Sequence, residues 1–89
     1  MRLVAAAIKF TLLNESYPCI VTAKRHADVF EKLYKLNIAY DKSTAVQGFL
    51  TDTNQFVDRY EAKEIAVAAN QLIVPLEDTY AELFSEDVW

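Results

Sequence analysis

The chain has one glycine, one cysteine and one histidine in 89 residues, and each scarcity excludes something. A lone cysteine, Cys19, permits no intramolecular disulfide, so the composition fits a reducing cytosol. Cys19 lies within an apolar run and reads as an inert core thiol. With His26 as the single histidine, no cysteine pair and no His-Glu-x-x-His spacing, no metal site is expected, and no cofactor. Gly-x-Ser-x-Gly, Gly-x-Gly-x-x-Gly and P-loop patterns are all missing, which disfavours a hydrolase or kinase of a standard class. No apolar run approaches the ~18 residues of a membrane span, and no low-complexity tract marks disorder.

Hydrophobic residues make up 53% of the chain. That predicts one globular domain over residues 1–89. A chain this short buries only a little over ~60% of its unfolded surface, so the apolar surplus points to a homo-oligomer interface. The start MRLVAAAIKFTLL superficially resembles a signal peptide, but Lys9 and Thr11 interrupt it, and a mature strand is the better reading. Net charge is −4, unevenly divided. Residues 1–44 carry seven basic and four acidic groups, and residues 45–89 carry two basic and nine acidic. An acidic chain is a poor nucleic-acid binder, because duplex affinity comes mainly from phosphate neutralisation. The acidic half suits a basic protein surface instead.

Residues 2–13 read as a strand with Val4, Ala6, Ile8, Phe10 and Leu12 on one face. NESYP is a turn, and PCIVTA, residues 18–23, a second strand opened by Pro18. KRHADVFEKLYKLN switches to helical spacing, with Val29, Phe30, Leu33 and Leu36 or Tyr34 as its stripe and Asn37 as its stop. YDKST reads as a loop. AVQGFLT, residues 45–51, is a third strand, and Phe56 and Val57 return briefly after a polar turn. Asp58 caps a second helix, and Glu61 completes a capping-box-like pair. Its apolar face holds Ala62, Ile65, Ala66, Ala69 and Leu72, and Gln71 near its end reads as solvent-facing. The tail EDTYAELFSEDVW begins as a helical turn near Glu77 and ends irregularly. The order predicts an α+β fold: a small three- to four-stranded sheet with two helices on one face and an irregular C-terminal tail.

Several residues invite a functional reading. His26 beside Arg25 stands where a strand becomes a helix, a place where backbone N–H groups face an anion. Gly48, inside a strand, marks a close approach by a helix or by a ligand, and Gln47 beside it needs polar partners. Arg59 opposes the dipole of the helix it opens, which favours a partner of opposite charge. Phe84 and Trp89 in the tail dock on the domain or offer a stacking face.

These segments together resemble a family of small phage and prophage proteins. The resemblance rests on the Arg-His pair at 25–26, the QGF block at 47–49, the F-x-x-R-x-E-A run from Phe56, the helix end at Gln71 and the terminus LFSEDVW. It covers most of the chain from about residue 20. The usual glycine before Gln71 is Asn70 here, and the usual leucine before the last aromatic is Val88. The resemblance adds Ser85, Glu86 and Asp87 to the candidate site, and implies a host-cell cytoplasmic location.

The first functional expectation is a non-catalytic binder of a nucleotide-like or phosphorylated small molecule, acting against host defence. Arg25, His26 and Arg59 would hold phosphates, Gln47 and Glu61 would read polar edges, and Phe49 or Trp89 would stack. The alternative is an acidic inhibitor that blocks a host nucleic-acid-handling or defence protein. An enzyme with His26 as base and Glu61 or Glu86 as acid is the weakest reading.

Overall fold

In the computed structural model, which describes residues 1–89, strands β1 (Leu3–Leu12), β2 (Pro18–Ala23), β3 (Tyr40–Thr51) and β4 (Phe56–Asp58) form one sheet in the order β2-β1-β3-β4. Every pairing is antiparallel. Helices α1 (His26–Lys35) and α2 (Arg59–Ala68) pack on one face, an α+β arrangement. No helix is long and apolar enough to cross a membrane.

The core divides between the helices. Ile8 and Phe10 pack with Val29 and Leu33 of α1. Leu3, Ala6, Phe49 and Val57 pack with Ala62 and Ala66 of α2 and with Leu83 and Val88 of the tail. The small side chains of α2 let its backbone approach the sheet closely, as their spacing predicts. On α1 the buried stripe is His26, Val29 and Leu33, while Phe30, Tyr34 and Leu36 face solvent. The stripe expected from Val29, Phe30, Leu33 and Leu36 is therefore rotated toward the N-terminus, because His26 occupies the first inward position.

Two irregularities shift the expected pattern. A register shift between Leu3 and Ala5 moves Leu3 into the core and leaves Val4 51% exposed. One extra residue inverts which side chains face inward. The YDKST segment is the start of β3 and not a loop. Its polar side chains substitute for ladder bonds: Thr44 Oγ1 accepts from Thr11 N at 2.9 Å and donates to the Asp41 carbonyl at 2.7 Å. Asp41 Oδ1 accepts from the Ser43 hydroxyl and amide, at 2.6 and 3.0 Å. These turn-forming side chains sit in a bulge at the second shift, between Lys9 and Thr11.

Asparagine takes the place of the scarce glycine. Asn37, Asn54 and Asn70 hold φ of 53°, 63° and 56°, the left-handed region that Asn tolerates and most side chains avoid. Asn37 and Asn70 end their helices in the same way. Asn37 N donates to Tyr34 O and Ile38 N to Leu33 O, while Asn70 N donates to Val67 O and Gln71 N to Ala66 O. Both are Schellman closures. Asn70 thus serves the backbone requirement that a glycine would serve there. The single glycine has no positive φ and is needed for another reason, given below.

Candidate functional site

Both helix N-termini begin beside residue 48. Asp58, the cap of α2, pairs with Gly48 across the sheet. His26, the first residue of α1, donates from Nε2 to the Gly48 carbonyl at 2.7 Å. A β-carbon at Gly48 would fall 2.1 Å from Val57 O and 2.6 Å from the Phe56 ring. The close approach is therefore made by β4, on the face of the sheet opposite the helices, and not by α2. Lys9 Nζ lies 5.7 Å from the centre of the same Phe56 ring.

His26 is 8% exposed. Its ring meets Phe49 edge-on at 5.0 Å, and Phe49 meets Trp89 in the same manner at 6.0 Å. The Trp89 indole N–H donates to the Lys24 carbonyl, so the tail is tied to the residue that leads into α1. Burial pushes the His26 pKa below its ordinary value. The bond to the Gly48 carbonyl and the charge of Glu86 oppose that shift, and the charge of Arg59 adds to it. The unfolded chain therefore binds a proton that the folded chain refuses. Stability should be fully present above the unfolded value of ~6.5 and decline as pH falls toward the folded one. Urea midpoints measured across that window, in the native chain and in His26→Gln, check this: only the native chain should show the slope due to His26.

Arg25 and Arg59 both meet carboxylates of the tail. Arg59 Nη2 lies 2.5 Å from Glu82 Oε2, and its guanidinium sits 5.3 Å from the centre of the Phe84 ring. Tyr60 Oη donates to the other Glu82 oxygen at 3.0 Å, and the tyrosine pKa is raised by that bond. Glu82 enters the sequence reading only as one acidic residue among many, because no motif spaces it from Arg59. Arg25 Nη1 stands 3.7 Å from Glu86 Oε1, an exposed pair of small energetic weight.

The candidate residues therefore separate. Arg25, His26, Phe49, Ser85 and Glu86 gather where the tail crosses the start of α1. Phe49 and Ser85 are buried, at 0% and 1% exposure. Gln47 and Arg59 line a neighbouring depression of about 410 Å³ with Val46, Asp58, Tyr60 and Glu82. Glu61 is not with them: it lines a separate cavity with Lys9, Thr11 and Phe56. Asp58 caps α2, accepting from the amides of Tyr60 and Glu61 at 3.0 and 2.8 Å. Asp87 Oδ2 accepts from Phe84 N at 2.9 Å and closes the terminal turn.

Gln71 does not face solvent as its position in the sequence suggests. Its side chain accepts from Leu3 N at 2.7 Å and donates to Leu3 O at 2.9 Å, meeting a β1 backbone as a neighbouring strand would. Ile73 N donates to Asp87 O at 2.8 Å and Leu83 N to Arg59 O at 3.0 Å. The tail is thus fastened at β1, at α2 and at the entry to α1.

One family profile, described as Phage T4 y16D protein, matches residues 2–89. No curated protein and no solved structure matches the chain.

Proposed function

The chain belongs to the phage T4 y16D protein family, and from that premise we propose that this small phage accessory protein acts by binding and obstructing a host protein. The carrying observation is the surface of α2 and the tail. Residues 59–89 hold seven carboxylates and two cations, yet Tyr60, Val67, Ile73, Leu76 and Tyr80 are each at least 47% exposed there. Apolar anchors amid acidic charge are what a basic, partly apolar protein surface recognises. Host nucleic-acid-handling and defence proteins present such surfaces, because they must attract phosphates.

The small-molecule reading keeps one observation in its favour, the depression lined by Gln47, Arg59 and Tyr60. Against it, Glu82 already occupies Arg59, so a phosphate would have to displace an internal carboxylate that costs nothing to bring in.

Native mass spectrometry of the protein purified from infected host cells tests both readings. A co-purifying protein that dissociates as salt is raised supports obstruction. A retained mass of a few hundred daltons overturns it in favour of the ligand reading.

A further inference from the structure

Along the outer face of α2, with Ala81 of the tail beside it, runs an open slot of about 560 Å³ lined by Tyr60, Lys63, Glu64, Val67, Ala68 and Ala81. Tyr60, Glu64 and Val67 recur at helical spacing, on the side of α2 away from the buried Ala62 and Ala66. Ala68 and Ala81 leave room for a large side chain beside Tyr60 and Val67. The slot is held open by bonds already made. Lys63 Nζ donates to the Tyr80 carbonyl at 2.5 Å, Leu83 N to Arg59 O at 3.0 Å, and Tyr60 Oη to Glu82 at 3.0 Å.

We infer that this slot takes the apolar edge of a basic amphipathic helix from the partner protein. The inference rests on the obstruction reading and names its surface. Charge selects the occupant. The Lys63 ammonium is turned onto a backbone carbonyl, while Glu64 stands exposed in the slot's lining and Glu77 and Asp78 stand exposed in the tail just before Tyr80. An anionic membrane or a nucleic acid is repelled by that rim. A helix carrying lysine or arginine around an apolar edge meets both requirements, with anchors at i, i+3 or i+4 entering the slot and its cations meeting the carboxylates. The α2 helix has ten residues, about 15 Å of length, which matches two to three turns of a partner helix.

Two experiments on the full chain decide it. The first uses fluorescently labelled heptad-repeat peptides, one of leucine and lysine and one of leucine and glutamate, read by anisotropy. The leucine–lysine peptide should bind and the leucine–glutamate peptide should not. Val67→Asp separates the slot from bulk charge. It adds a carboxylate, so attraction by charge alone would tighten binding, whereas loss of the apolar wall should weaken it about tenfold. Circular dichroism confirms that the variant is folded. Unchanged or tighter binding by Val67→Asp, or no binding by the native chain, overturns the inference.

The second places a photo-crosslinking phenylalanine at Val67, or at Ile20 on the bare sheet face, during phage infection. A protein adduct from Val67 and none from Ile20 is the expected result. An adduct from Ile20 alone overturns the slot and leaves obstruction standing. Adducts from neither position overturn both, and an adduct of twice the chain's own mass assigns the slot to a second copy and overturns a foreign partner.

Discussion

Gly48→Ala is expected to lower stability by ~3 kcal/mol, because the new methyl group has no space that a side chain could vacate. The nearest atom to the added carbon is the Val57 carbonyl oxygen at 2.1 Å, and the Phe56 ring atoms follow at 2.6 and 2.9 Å. An aromatic ring can swing aside, but a carbonyl bonded into an antiparallel pair cannot move without shifting β4. That strand has three residues, and its last one caps α2 through two amide bonds. The Gly48 carbonyl also receives the His26 bond, so displacement of β3 from β4 reaches both helix starts. For a chain of this size the loss corresponds to a fall in melting temperature on the order of 15 °C. Pairing the change with Phe56→Ala should not restore stability, since the clash with Val57 O persists. Thermal melts of the single and double variants check this. If Gly48→Ala melts with the native protein while biological effect is lost, the glycine serves ligand approach and the packing account fails.

The same glycine shows what was legible from residue types and what was not. Its isolation inside a strand pattern announced a close approach, but its partner was not readable. The added carbon points to the face away from the helices, and which face residue 48 occupies depends on the register against β1. That register slips twice, and the second slip is encoded in how Thr44 and Asp41 replace ladder bonds, not in apolar periodicity. Elements with a local cause were readable: the Asp58 cap, the left-handed stop at Asn37 and the sheet-facing alanines of α2. Residues whose partners lie far along the chain were not. Gln71 bonds Leu3, 68 positions away, and Glu82 bonds Arg59 through a tail with little regular structure. No periodicity links such pairs, and the fastening of the tail that they make is legible only in three dimensions.

Trp89→Ala tests that fastening and is expected to change two observables together. The indole covers the edge of Phe49, which in turn covers His26, and its N–H satisfies the Lys24 carbonyl. Removing it leaves that carbonyl unpaired and cuts the aromatic contact, for a stability loss of about 3 kcal/mol, the lower end for a large aromatic because the side chain is only half-buried. Water then reaches the Phe49–His26 pair. Since burial is the first cause of the depressed His26 pKa, the value should rise toward its ordinary one in the variant. The chain has a single histidine, so one imidazole resonance followed by NMR across pH reports the shift without ambiguity. The sign of the coupled stability change is fixed by linkage. The native protein loses stability as pH falls below ~6.5, and a variant whose folded pKa has risen has less of that stability to lose. Its denaturation midpoint should therefore vary less across the same window. A lowered midpoint with an unmoved His26 titration would mean that Phe49 alone seals the histidine, and that the tail stabilises the fold without governing the chemistry beneath it.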